Sequence, residues 1–71
     1  MNKSTVKKIV EGYKLKKMKF RYNGSRNQIE EFEGTIENTY NSIFTIRTES
    51  TNTLKSFSYN DIINKNLQIF L

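Results

Sequence analysis

The chain has 71 residues and a formal net charge of +5, and it contains no Cys, His, Trp or Pro. Without Cys there is no disulfide framework and no thiolate metal site; without His the usual general base and the commonest transition-metal ligand are missing. A chain this short buries only about 60% of the surface its unfolded form exposes, so one domain (residues 1–71) with a thin core is expected.

Residues 1–12 read as a short N-terminal helix. Ser4 or Thr5 can cap it, and Val6, Ile9 and Val10 recur at i, i+3 and i+4. Gly12 stands where a helix commonly ends in the left-handed conformation. Two turns are too few to be stable alone, so this helix is expected to pack on a sheet.

Residues 14–38 carry the strongest pattern and predict a β-hairpin. Met18, Phe20 and Tyr22 alternate with Lys17, Lys19 and Arg21; Phe32 and Ile36 alternate with Glu31, Glu33 and Glu37. Asn23-Gly24 opens the turn. If Tyr22 faces Gln28 across a five-residue loop, Met18 lies opposite Phe32, Lys19 opposite Glu31 and Lys17 opposite Glu33. Each such opposite-charge pair contributes roughly 0.2–1 kcal/mol relative to a neutral one. This register sets Glu30 against Phe20, which calls for a bulge or fraying beside the turn. Gly34 marks a bend or a close backbone approach.

A turn at Thr39–Ser42 leads to a third strand, SIFTIRTE, and Thr51-Asn52 suggests a two-residue loop to a fourth, TLKSFSY. That loop places Ile46 opposite Phe57 and Phe44 opposite Tyr59. Asn60 to Asn64 read as one turn of 3₁₀ helix capped by Asn60, and NLQIFL as a last strand. The order predicts a mainly β fold: a small five-stranded SH3-like or Sm-like antiparallel barrel over residues 13–71, closed so that no edge strand remains. No apolar run approaches the roughly 18 residues a membrane span needs, and no hydrophobic signal core precedes the helix, so a cytoplasmic protein without membrane attachment is expected.

The segments VKKIVEG, KFRYNGSR, EGTIENTYNSIFTI and SFSYNDI, in this order and spacing, resemble the Veg family of small proteins from low-GC Gram-positive bacteria. The resemblance runs from about Val6 to Ile69 and is most specific at Asn23-Gly24-Ser25-Arg26 and from Glu37 to Phe44. It implies an SH3-like barrel and a role in gene regulation linked to biofilm formation, through antagonism of a biofilm repressor. The chain departs from the family pattern at Asn27 and Gln28, where the family is more basic, and at Asn41, where it often has Pro. The family's acidic C-terminal extension does not follow Leu71.

Charge is unevenly placed. Residues 1–29 hold nine Lys or Arg and one acidic group, Glu11; residues 30–71 hold three basic and six acidic groups. With Lys17 and Lys19 facing glutamates, the less compensated cations are Lys7, Lys8, Lys14, Lys16, Arg21 and Arg26. Such a stripe suits nucleic acid, where neutralised phosphates release counterions; it also suits an acidic protein partner, or it is simply a solvated face. Phe20 and Tyr22 are interleaved as base-stacking residues would be, but their alternation points them into the core. Glu31, Glu33 and Glu37 share a strand face as hard-cation ligands would, yet nothing resembles a metal loop and lysines are the simpler partners. No metal and no cofactor is expected.

Tyr40 is an aromatic in a polar turn, either an exposed anchor for a partner or a cover for one end of the barrel. Phe70 has the opposite parity to Leu67, Ile69 and Leu71, so the helix or a second subunit must cover it; Leu67, Ile69 and Phe70 are candidates for homodimerisation. With no partnered nucleophile and no Gly-rich phosphate loop, catalysis is not expected. The reading is a non-catalytic regulatory protein of the Veg type that influences gene expression by binding a partner. The alternative is an Sm-like or SH3-like module that contacts an RNA or DNA backbone.

Overall fold

The chain runs α1 (Lys3–Gly12), β1 (Lys17–Asn23), β2 (Ile29–Thr39), β3 (Ile43–Thr48), β4 (Leu54–Ser58), α2 (Tyr59–Ile63) and β5 (Leu67–Phe70), in a computed structural model that describes residues 2–24 and 28–70. All strand pairs are antiparallel, in one sheet ordered β4-β3-β2-β1-β5. The fold is mainly β, as its alternating patterns require. Among the described residues no helix is long and apolar enough to cross a membrane.

Asn2, not Ser4 or Thr5, caps α1: its Oδ1 accepts the Thr5 N–H at 2.9 Å. Val6 and Val10 are buried, and α1 packs against α2 and β2. Gly12 does not take the left-handed conformation; Leu15 does, at φ 68°. The turn is placed there because the Leu15 N–H donates to the Ile36 carbonyl at 2.9 Å, tying the end of the helix segment to β2.

The charged hairpin forms, in a register one step along each strand from the expected one. Asn23 lies opposite Ile29, Tyr22 opposite Glu30 and Phe20 opposite Phe32. An offset totalling two residues leaves each side chain on its predicted face, because the strand period is two. The shift stacks Phe20 on Phe32, with centroids 5.5 Å apart, and moves Glu30 away from Phe20 to the rim, where its carboxylate meets Lys55. Neither a bulge nor fraying is needed near the turn. The bulge lies at Glu37 instead, between the pairs Ile36–Ile46 and Asn38–Thr45.

The β3–β4 hairpin is also offset by two residues in total, in the opposite sense. Phe44 pairs with Phe57 and Ile46 with Lys55, so the loop is longer than Thr51-Asn52. The Thr48 hydroxyl sets this length: it lies 2.7 Å from the Thr51 hydroxyl and accepts the Thr53 N–H at 3.0 Å, with Asn52 left-handed at φ 53°. Tyr59 does not continue β4 but begins α2, an α-helical turn rather than a 3₁₀ turn. Its cap is Ser58, not Asn60, through a capping box with Asp61. Fully buried Tyr59 donates its hydroxyl to the Tyr40 carbonyl at 2.7 Å, and burial pushes its phenol pKa above the ordinary value.

The expected closure does not occur. Among the described residues β4 pairs only with β3 and β5 only with β1, so both are edges and the sheet is not closed into a barrel. At this seam the Ser58–Asp61 capping box ends β4 at Ser58, and the chain passes through α2 before β5 begins. The sheet is nevertheless strongly curled. The rings of Tyr22 on β1 and Phe57 on β4 lie 5.2 Å apart, whereas a flat sheet would hold strands three places apart at about 14 Å. Met18, Phe20, Ile36, Phe44, Ile46, Phe57 and Leu67 fill the concave side with Val6, Val10 and Tyr59.

Gly34 sits at the tightest contact of this curl. A Cβ there would stand 2.5 Å from the Arg47 carbonyl oxygen and 2.9 Å from Ile46 Cγ2. Gly34→Ala is therefore expected to destabilise the fold by about 1–3 kcal/mol, the usual range for forced overpacking. Equilibrium urea unfolding checks this; an unchanged midpoint would show that β2 and β3 can separate freely.

Candidate partner-binding surface

On the convex side of β1 and β2, neighbouring charges neutralise one another. Lys17 Nζ lies 2.9 Å from Glu49 and 3.6 Å from Glu33, and Lys19 Nζ lies 3.7 Å from Glu31. The predicted pairs Lys17–Glu33 and Lys19–Glu31 thus exist, but as diagonals, since Lys19 directly faces Glu33 and Arg21 faces Glu31. The hydrogen bond that Lys17 donates to the Glu49 carboxylate is the main cause that raises the Lys17 pKa. These groups line one shallow depression, whose mixed charges make it a poor anion site.

Glu37, carried outward by its bulge, receives two hydrogen bonds from Arg47, Nε to Oε2 at 2.9 Å and Nη2 to Oε1 at 3.1 Å. This fork holds the Glu37 carboxyl below the usual carboxylate range and pushes the Arg47 guanidinium up. Lys55 pairs with Glu30, and its Nζ stands 5.3 Å from the Phe32 ring centroid. Every glutamate of the sheet and of the β3–β4 loop therefore has a cationic partner.

The remaining cations have none among the described residues. Lys3, Lys7 and Lys8 lie on α1, Lys14 and Lys16 in the link to β1, Arg21 on β1, and Lys65 between α2 and β5. Lys16 Nζ sits 5.9 Å from the Tyr13 ring centroid. Of the predicted site residues, Lys7, Lys8, Lys14 and Lys16 thus belong to α1 and its link, while Arg21 stands apart on the sheet. Arg26 lies outside the described residues. Arg21 shares a concavity with Lys65, Asn66 and Gln68. Tyr40 is 52% exposed in the β2–β3 loop and does not fold inward; it contributes its carbonyl to Tyr59 instead.

On β5, Leu67 is buried, Ile69 half-buried and Phe70 43% exposed. Leu71 lies outside the described residues. Ile69 and Phe70 line a groove with Ile9, Tyr13, Ile62 and Lys65. Sequence reasoning missed Lys65, Gln68 and the partnership of Ile9 and Ile62 with the last strand. Ile9 carried a signal, as an apolar residue beside the Val6–Val10 stripe, but its neighbours come from the far end of the chain. Among the described residues no group of three or more acidic side chains is placed to hold a metal.

The family model described as biofilm formation stimulator VEG matches residues 2–70. No curated protein matches the chain.

A carboxylate held below its ordinary pKa adds stability at pH values above that ordinary value, and this is lost as pH falls through the folded-state pKa. Glu37→Gln is thus expected to be slightly less stable than the parent at neutral pH, the gap closing in acid below the ordinary carboxylate value of 4.5. Thermal melts of both chains across that pH range check the sign; a gap that widens in acid would refute the role given to the Arg47 fork.

Proposed function

The chain belongs to the VEG family of biofilm formation stimulators, whose model covers residues 2–70, and on that premise we propose that it is a non-catalytic regulatory protein that acts by binding an acidic partner. The observation that carries this reading is the segregation of charge. Glutamates of the sheet are matched by Lys17, Lys19, Arg47 and Lys55, while Lys7, Lys8, Lys14, Lys16 and Arg21 have no ion-pair partner among the described residues and are available to an external anion. Exposed Tyr40 is a further candidate contact. An influence on biofilm-related transcription is the downstream effect this binding would serve. The strand order, with a helical turn between the fourth and fifth strands, supports reading the sheet as an SH3-like or Sm-like plan left open at one seam.

The same unmatched cations favour a second reading, contact with an RNA or DNA backbone. The aromatic residues weigh against a stacking mode: Phe20 is 0% exposed and Tyr22 is half-buried against Phe57.

Fluorescence anisotropy with poly-glutamate, random RNA and random duplex DNA across a salt series separates the readings. Lys14→Glu and Lys19→Glu lower net charge equally, but only the first removes an unmatched cation. The expected result is poly-glutamate binding that Lys14→Glu weakens by about tenfold, or about 1.4 kcal/mol, while Lys19→Glu has a smaller effect. Preferential retention of nucleic acid, with log affinity falling linearly in log salt, would replace the acidic-partner reading.

A further inference from the structure

Strand β5 offers an open edge whose free backbone groups can be assigned. The Asn23 N–H donates to the Asn66 carbonyl at 2.7 Å, immediately beyond the β1–β5 ladder. Antiparallel pairs alternate between bonded and non-bonded, so Gln68 and Phe70, opposite Arg21 and Lys19, direct their amides and carbonyls toward β1. The amides and carbonyls of Leu67 and Ile69 then point away from the sheet. Among the described residues no other strand pairs with them and no further backbone hydrogen bond involves them.

Along this edge runs a groove of about 500 Å³ lined by Ile9, Tyr13, Ile62, Ile69 and Phe70, with Lys65 on its rim. The adjoining concavity shares Lys65 and Gln68 and adds Arg21. Neither contains an acidic residue, and neither Arg21 nor Lys65 has an ion-pair partner among the described residues. Unsatisfied strand backbone, an apolar trough and unmatched positive charge therefore meet at one place.

We infer that the β5 edge docks an extended acidic segment of a partner protein, which adds as a sixth strand with apolar side chains in the groove and carboxylates toward Lys65 and Arg21. The inference rests on the acidic-partner reading above and assigns it a face. Backbone bonds to Leu67 and Ile69 supply affinity, and the two-residue alternation of the incoming segment supplies specificity. Charge selects this occupant over a second copy of the chain. A twofold pairing of β5 with itself would bring no carboxylate from either depression to Lys65 or Arg21, because neither lining contains an acidic residue.

The probe is a synthetic peptide of alternating Val and Glu, compared with poly-glutamate and with the same peptide N-methylated on alternate amides. Anisotropy gives affinity, and amide exchange followed by NMR locates the contact. The alternating peptide is expected to bind more tightly than poly-glutamate and to slow exchange at Leu67 and Ile69 by about tenfold or more. N-methylation and Arg21→Glu/Lys65→Glu should each reduce binding by about tenfold, while Phe70→Ala reduces it less. Binding of acidic peptides without slowed exchange at Leu67 and Ile69 overturns the edge assignment and leaves the acidic-partner reading intact. No binding to either acidic probe overturns both. Protection of the two amides in the protein alone, rising with concentration together with a doubled light-scattering mass, would give the edge to a second copy.

Discussion

Phe57 is the side chain on which the shape of the sheet depends. From β4 its ring centroid lies 6.2 Å from that of Phe44 on the adjacent strand, 6.0 Å from that of Phe32 on β2 and 5.2 Å from that of Tyr22 on β1. These contacts reach across one, two and three strand positions, so they exist only in a strongly curled sheet. Burying rings of this size is the largest single contribution available to so small a core. The stack continues through Phe20 on one side and Tyr59 on the other, linking four strands and α2 without a ladder between β4 and β5. Gly34 permits the curl, since any side chain there would collide with the β3 backbone.

Curling has an electrical consequence. It brings Lys55 over Phe32 to Glu30, while pairing places Lys17, Lys19 and Arg47 among the remaining sheet glutamates. These ion pairs are largely exposed, and each is worth little to stability. Their effect is on the field outside the molecule: they cancel the sheet's charges locally and leave the net positive charge to α1, its link and the β5 border. A chain whose halves differ in sign thus becomes a molecule with a neutralised sheet and basic margins. It is this distribution of charge on which the proposed role in association rests.

The open seam is the second consequence. An edge strand of four residues beside an apolar groove is a liability in a small β protein, usually blunted by charge or covered. Here Lys65 provides charge at one end, but Ile9, Tyr13, Ile62 and Phe70 leave the trough apolar. The Ser58–Asp61 capping box starts α2 directly after β4, so the chain between the two edge strands is helical.

Local alternation alone determined that five strands form, the faces on which their apolar and charged residues lie, and that Phe20 lies in the core; it left Gly34 open between a bend and a close backbone approach, and it carried Tyr59 into β4 where α2 begins. The face assignments survived a register shift in both hairpins because a combined offset of two residues preserves parity. The registers were decided elsewhere, by Phe20 stacking on Phe32 and by the Thr48 hydroxyl closing its loop, neither of which a strand's own period encodes. The open seam of the sheet, the bulge that delivers Glu37 to Arg47, and the groove that Ile9 shares with Phe70 likewise depend on how distant segments pack. A two-residue period fixes sidedness along a strand, and only packing between strands fixes where each one stops.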